Sequence, residues 1–374
     1  MASVTLSSLH LQYPSGAVGL EDIDLTVGHG EFVALVGASG SGKTTLLRTV
    51  AGFLSPTSGT VRLGDRVVAG DGVFVPAESR HLGMVFQQHA VWPHMNVARN
   101  VEYPLRRARV GRAERTERVE RMLELVGLGG YAKRDPATLS GGQRQRVALA
   151  RALVAEPSVL LLDEALSALD EPLRDRLRLE LQSLTRSLGL TVLHVTHDRD
   201  EALALADRVV VLDGGRIQQI GTPPELVSEP ASAAVARFLS DATVVAGTRT
   251  ATGFRADGFP VDVPAALLSG AATGDVEVAI LPEDVDLVAP GPAADGVAAS
   301  AGPGAESAVV VSSLYGRSGN DVILDWGGLT LRSRTADHRP VVGERVGVSI
   351  RRALVFPSAG AAVPSAAPAA GARV

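Results

Sequence analysis

Two rhythms of apolar and polar positions run through the first 240 residues: short solid apolar runs and longer helical stripes. The runs EFVALVG (31–37), LGMVFQ (82–87), VLLLD (159–163), TVLHVTH (191–197) and RVVVLD (208–213) predict buried strands. Between the second and third lies a helical insertion. In GRAERTERVERMLELVGL (111–128), Val119, Met122, Leu123 and Val126 fall at i, i+3, i+4 and i+7, and the Arg and Glu residues occupy a solvated face. A second stripe, Leu173, Leu177, Leu181, Leu184 and Leu188, predicts a helix over about 172–188 with a leucine face in the core, ending before Gly189. Strands alternating with helices predict an α/β layer with a parallel or mixed sheet.

After Asp241 the helical rhythm gives way to Val-rich stretches: VEVAI (276–280), AVVVSSL (308–314), DVILDW (321–326) and RVGVSI (345–350). Gly and Pro turns separate them, which predicts a small β-barrel or sandwich. The Ala, Gly and Pro-rich segment 289–306 reads as a loop, and 357–374 as a low-complexity, disordered tail. The expected organisation is one α/β domain over 1–240, with a helical subdomain at about 90–155, and a β-domain over 241–356.

At 374 residues the chain is too long for one ordinary core, and 45% hydrophobic with 21% charged residues excludes global disorder. Cysteine is absent, which excludes disulfides, thiolate metal sites and a Cys nucleophile and fits a reducing compartment. The net charge is -5, and after residue 240 there are ten Arg against fourteen Asp and Glu. Neither part carries a nucleic-acid footprint. The start, MASVTLSSLHLQYPSG, lacks a cationic leader, and no apolar run approaches the ~18 residues a membrane span needs. The expectation is a cytoplasmic chain unless a partner holds it at a membrane. Only Lys43 and Lys133 are lysine among 36 basic residues, so a lysine here is informative.

Lys43 stands in the clearest chemical motif. Gly37, Ala38, Ser39, Gly40, Ser41, Gly42, Lys43 and Thr44 form G-x-x-x-x-G-K-[ST] between a predicted strand and a predicted helix, and Thr45 follows as a further nucleotide-binding candidate. Backbone N–H groups of such a loop curl around phosphate oxygens, the lysine reaches the terminal phosphates, and Thr44 can ligate Mg²⁺. Asp163 and Glu164 end VLLLDE, so an apolar strand delivers two carboxylates to a sheet edge. Asp163 suits the Mg²⁺ shell and Glu164 suits polarising an attacking water; a pair of acidic helix caps is the bland alternative.

With Tyr13, Gln87, LSGGQ (139–143), SALD (167–170) and His197, these pieces stand in the order of an ABC-type ATPase, which residues 1–240 resemble almost throughout. LSGGQRQRVALARAL (139–153), just upstream of the carboxylate strand, is the most specific of them. GMVFQ (83–87), WPHMNVARNV (92–101) and VTHDRDEALALADRVVVLDGGRIQQIGTPPEL (195–226) further resemble the maltose, iron(III) and polyamine importer group, as does the added β-domain with ILPEDV (280–285). The resemblance implies a P-loop ABC ATPase domain with a helical insertion, followed by a small all-β, OB-like regulatory domain.

It also implies roles. ATP and Mg²⁺ would be held by the loop 37–45, Tyr13, Gln87 and Asp163, with catalysis by Glu164 and His197. Ser140, Gly141, Gly142, Gln143 and Asp170 would meet the nucleotide of the opposite subunit in a homodimer or heterodimer. Partners would be integral-membrane permease subunits, engaged around Gln87 and 92–101, and an extracytoplasmic solute-binding protein, with the chain peripheral at the cytoplasmic face of the cell membrane. The substrate reading leans to iron(III) or polyamine, with phosphonate and sugar as alternatives. A soluble ABC ATPase acting on ribosomes or DNA is the competing class.

Several residues keep a structural reading beside the functional one. Tyr13 can stack adenine or simply pack; Ser140 and Gly142 can bind phosphate or cap a helix; Asp170 can cap the 172–188 helix as well as cross to the partner. His194 is expected to be structural. Ala165 stands where the family commonly has Pro, Leu281 where the ILPEDV motif usually has Arg, and Arg199 and Asp200 where Gln-Glu is frequent. Both carboxylates survive these departures, so activity is expected to persist.

Overall fold

The structure is a computed structural model describing residues 3–87, 90–166, 171–259, 261–288, 308–316, 319–336 and 339–358. The expected loop at 289–306, the expected tail apart from residues 357 and 358, and Asp170 with the rest of SALD lie outside the described residues. The chain divides into two compact units, 1–226 and 227–374.

In the first unit, β3 (Phe32–Val36), β7 (Leu82–Val85), β8 (Val159–Asp163), β9 (Thr191–Val195) and β10 (Arg208–Asp213) are the five strands read from the apolar runs. They lie parallel, and β11 (Arg216–Gly221) adds antiparallel to give the order β11-β10-β3-β9-β8-β7. The runs are solid because both faces are covered. Val159 and Leu161 enter one core and Leu160 and Leu162 another, on opposite sides of the same strand. The second sheet, missed in the sequence, is antiparallel: β2 (Val18–Val27), β1 (Val4–Gln12), β4 (Ser58–Leu63), β5 (Arg66–Gly70) and β6 (Val73–Phe74). Its signal is broken by bulges: β1 slips register between Leu6 and Leu9, with Ser8 at φ 42°, so strict alternation fails.

Helix α1 (Lys43–Ala51) sends Leu46, Leu47 and Val50 into the core shared by the two sheets. The insertion comprises α2 (Val97–Arg107), α3 (Arg112–Leu125) and α4 (Gly141–Leu153), closed on their own core of Val97, Val101, Val119, Leu123 and Val147. The 172–188 stripe becomes α5 (Glu171–Ser187), with one correction to its expected face: Leu177 and Leu181 are buried but Leu188 is 44% exposed, just beyond the helix end. After it come α6 (Arg199–Leu205) and α7 (Pro223–Ser228), the latter spanning the unit boundary.

The second unit takes in α8 (Ala233–Ser240), which lies within the 1–240 domain expected from the sequence. Its Ala236 packs with Ala242, Ala279, Leu281 and Leu354, so burial ties the helix to the β-domain. Strands β12 (Thr243–Arg249), β13 (Gly253–Ala256), β14 (Asp262–Pro264), β15 (Leu268–Ser269), β16 (Gly274–Ile280) and β22 (Ala353–Pro357) form one sheet. A second sheet holds β17 (Val285–Val288), β18 (Ala308–Gly316), β19 (Gly319–Trp326), β20 (Leu329–Thr335) and β21 (Arg345–Ile350). Val278, Val310, Leu324 and Trp326 share one apolar core between these sheets, as a sandwich requires. Leu281 is itself part of the packing under α8, which suits leucine better than the arginine of the motif.

Candidate functional site

Strand β3 ends at Val36, and the chain turns through Gly37 to Gly42 into α1. Two glycines are compulsory. At Gly37, φ 155°, a Cβ would sit 2.1 Å from the Leu212 carbonyl of β10; at Gly42, φ 102°, it would sit 2.8 Å from the Gly19 carbonyl. The loop folds around Lys43, whose Nζ donates to the carbonyls of Gly37 (2.8 Å) and Ala38 (2.9 Å) and to Ser41 Oγ (3.2 Å). Burial lowers the Lys43 pKa, and the Glu164 carboxylate acts in the opposite sense. Ala38, Ser39 and Gly40 stay exposed at the loop's crest. Tyr13 is half-buried; its hydroxyl hydrogen-bonds Thr45 Oγ1 at 2.8 Å, and only a glycine at 19 leaves its ring room.

Beside this loop, β8 and β9 end together. Asp163 pairs with Val195 across the sheet and is 7% exposed. Desolvation raises its pKa, with Arg48 of α1 pulling it down and Glu164 pushing it up. Glu164 follows in a left-handed conformation, φ 46°, its N–H held by the Val195 carbonyl at 2.9 Å. For a residue with a side chain, that backbone costs about 1–3 kcal/mol, and such strain collects where a group must be aimed. Ala165 is 1% exposed in the core, so the turn is anchored without the family's proline.

Glu164 Oε2 is the meeting point. Gln87 Nε2 donates to it at 2.6 Å, and His197 Nδ1 lies 3.4 Å away on a side chain 61% exposed. With its amide nitrogen so used, Gln87 keeps its carbonyl oxygen for a metal or water. Thr44, Asp163 and Gln87 thus offer hydroxyl, carboxylate and amide oxygens, the hard donors Mg²⁺ takes when phosphates complete its shell. Among the described residues no group of three or more His, Asp or Glu forms a metal cluster. Such a donor set fits an ion brought with a nucleotide, whose phosphates supply the remaining oxygens.

Ser140, exposed, caps α4, and Gly141, Gly142 and Gln143 form its first turn, with Gly142 buried. Ser140 Oγ accepts from Gln143 N at 3.3 Å and Gln143 Oε1 accepts from Ser140 N at 3.0 Å, a reciprocal cap. Among the described residues these four make no hydrogen bond to the loop 37–45. The cap does not consume the serine's own O–H, which is free to donate to an anion at the helix N-terminus.

Two groups escaped the sequence reading. Arg48 supplies the positive charge opposite Asp163. Asn100, fully buried, ties the segment 92–96 together: Nδ2 donates to the carbonyls of Trp92, Met95 and Asn96, and Oδ1 accepts from Trp92 N. Its signal was a polar residue on the Val97, Val101, Leu105 stripe. Nearby, the Trp92 ring packs against Tyr103 with centroids 4.6 Å apart and tilted by 59°, lies under Arg151, and with Met84 and Phe86 lines an apolar groove of about 250 Å³. No helix of the described residues is long and apolar enough to cross a membrane.

Comparison with known proteins shows which family the chain resembles. The ABC transporter family matches residues 20–167. The spermidine/putrescine import ATP-binding protein of Thermobifida fusca is 49% identical over 66% of this chain and 64% of its own, a little under two thirds of that relative. The sn-glycerol-3-phosphate import ATP-binding protein of Jannaschia sp. is 44% identical over 76% of this chain and 80% of its own. The Fe(3+) ions import ATP-binding protein of Rhizobium meliloti is 52% identical over 61% and 63%. Among solved structures, a dimeric ATP-binding cassette in a post-hydrolysis state, bound to ADP and Pi, aligns with TM-score 0.53 and 32% identity over 59% of this chain and 98% of that one.

Proposed function

The chain belongs to the ATP-binding subunits of ABC importers, ATPases by family, and from that premise we propose that it couples MgATP binding and hydrolysis at a dimer interface to solute uptake through membrane partners. The observation that carries this is the convergence of Gln87 and His197 on Glu164 Oε2 beside the lysine loop. The loop backbone and Lys43 position the phosphates; the lysine exchanges its own loop carbonyls for phosphate oxygens. Mg²⁺, when bound, neutralises developing charge on the phosphates. Glu164 accepts a proton from the attacking water and His197 orients it, so catalysis is placement and electrostatics.

Ser140 and Gly142 complete the site of a second subunit, with Asp170 contributing across the same interface. Closure of the pair moves the permease subunits, which engage the apolar groove beside Trp92 and Tyr103; the position is peripheral, at the cytoplasmic face of the membrane. The β-rich second unit acts as an OB-like regulatory domain. Relatives import spermidine/putrescine, sn-glycerol-3-phosphate or Fe(3+), so substrate choice rests with the permease and an extracytoplasmic binding protein. Iron(III) or a polyamine is the substrate class proposed here.

The test is Glu164→Gln, which keeps the side chain's size and removes the base. It should bind MgATP and pair, turn over about 10²-fold or more slowly, and carry multi-span membrane proteins through purification from solubilised membranes. Near-normal phosphate release would remove Glu164 from its role; ribosomal particles in place of membrane proteins would replace the importer reading.

A further inference from the structure

His194 and Glu201 form a buried polar pair inside the first unit that the ATPase chemistry does not use. His194 lies in β9, flanked by Ala34 of β3 and Leu162 of β8, and is 0% exposed; Glu201 in α6 is 2% exposed. His194 Nε2 stands 2.6 Å from Glu201 Oε1. Its Nδ1 has no partner among the described residues, so the tautomer with the proton on Nε2 is the one that leaves only a lone pair unsatisfied. Desolvating such a pair is costly, and two apolar side chains would fill the space at less expense. Direction is what the polar pair adds.

The other oxygen shows where that direction goes. Glu201 Oε2 accepts from Thr196 Oγ1 at 3.3 Å, and Thr196 Oγ1 accepts from the Asp198 N–H at 3.0 Å. Asp198 returns the contact through Oδ1, which accepts from the Glu201 N–H at 3.0 Å, while its Oδ2 takes Arg178 at 2.7 Å and Arg174 at 3.4 Å from α5. The Thr196 N–H reaches the Leu35 carbonyl of β3 at 3.3 Å. Of the residues on either side of His197, Thr196 is held by the Glu201 carboxylate directly and Asp198 through the Thr196 hydroxyl, while the imidazole between them points outward to Glu164.

Resting on the ATPase reading, we propose that Glu201 is a positioning residue: its buried carboxylate, joined to His194 and Thr196, fixes the backbone flanking His197 and so aims that imidazole at Glu164. A misplacement of about 1 Å at such a group can cost on the order of 10² in rate. The arrangement also links His197 through Asp198 to Arg174 and Arg178, on the helix that follows the cross-subunit segment.

The experiment compares full-length wild type with Glu201→Ala, Glu201→Gln and Thr196→Val. It measures kcat and KM for ATP, hydrogen exchange of the Asp198 amide, and the thermal midpoint. Glu201→Ala should lower kcat about 10- to 100-fold with KM within about twofold, and should speed exchange at Asp198. Glu201→Gln still bridges His194 and Thr196 and should recover most of the kcat. Thr196→Val, similar in volume, removes the hydroxyl that links Glu201 Oε2 to the Asp198 N–H but leaves the His194–Glu201 contact, and should fall between. Unchanged kcat and exchange in Glu201→Ala would overturn the proposal, as would a joint fall of kcat, ATP affinity and midpoint in Ala and Gln alike, which marks a fold role. A wild-type chain without ATP hydrolysis would sink the ATPase reading alone; Asp198 exchange would still decide whether Glu201 sets this loop.

Discussion

Asp163 carries a cost in the nucleotide-free protein that its role explains. Burial raises its pKa above the ordinary carboxylate value even with Arg48 nearby. A raised folded-state value means the folded chain binds more protons than the unfolded one between the two values, so this group's contribution is fully favourable at low pH and is lost as pH rises through the folded value. Asp163→Asn should therefore raise the thermal midpoint at neutral pH, with the gain shrinking as pH falls through the carboxylate range. The same variant should lose the extra stabilisation that MgATP gives the wild type over ATP with chelator. Scanning fluorimetry across pH, with and without Mg²⁺, reads both; a midpoint lowered at neutral pH would show that the attraction to Arg48 outweighs desolvation. Glu164 belongs to the same logic at the backbone, held at φ 46° where a glycine would relax the turn but supply no carboxylate.

Helix α4 separates two uses of one serine. As a cap, Ser140 satisfies the Gln143 N–H; as an anion contact, its O–H and the free N–H groups of the first turn face a phosphate. Ser140→Ala loses both and should cost about 1 kcal/mol of stability. Ser140→Asp keeps the cap and the favourable charge at the helix start, so its denaturation midpoint should stay near wild type. Its carboxylate opposes the γ-phosphate, so MgATP-driven pairing in a Glu164→Gln background should vanish from sedimentation profiles; pairing that survived would leave Ser140 only its cap. Elements of this kind were legible where one physical demand dominates. Solid apolar strands, the glycine-lysine loop and the α3 stripe announce themselves because burial or phosphate geometry leaves little choice. The antiparallel sheet was not legible, since the bulge at Ser8 breaks its period. Asn100 and Glu201 were missed for a different reason: each is a helix residue whose partners, four to eight positions upstream, lie on a loop or strand whose path the hydrophobic pattern does not give.

At the scale of the whole chain, the boundary between units decides what a truncation leaves behind. The reading from sequence closed the first domain at residue 240 because helical rhythm continues to that point, but periodicity records that a face is buried and not which core buries it. The apolar face of α8 finds Ala279, Leu281 and Leu354 of the β-rich unit, and Asp241 at its end pairs with Arg332 at 2.9 Å. A chain cut after Asp241 keeps this helix and removes its partners, whereas a cut after Glu229 keeps all of α7, with Leu226 fully buried in the first unit, and omits α8. The proposed intrasubunit nucleotide contacts, from Tyr13 to His197, all precede either cut. Both truncations should therefore bind ATP within about twofold of each other, but the longer one should bind an apolar dye and lose solubility on storage while the shorter stays monodisperse by light scattering. If the longer piece proved as soluble as the shorter, α8 would have a second surface to cover it within the first unit, and the boundary would move back toward residue 240.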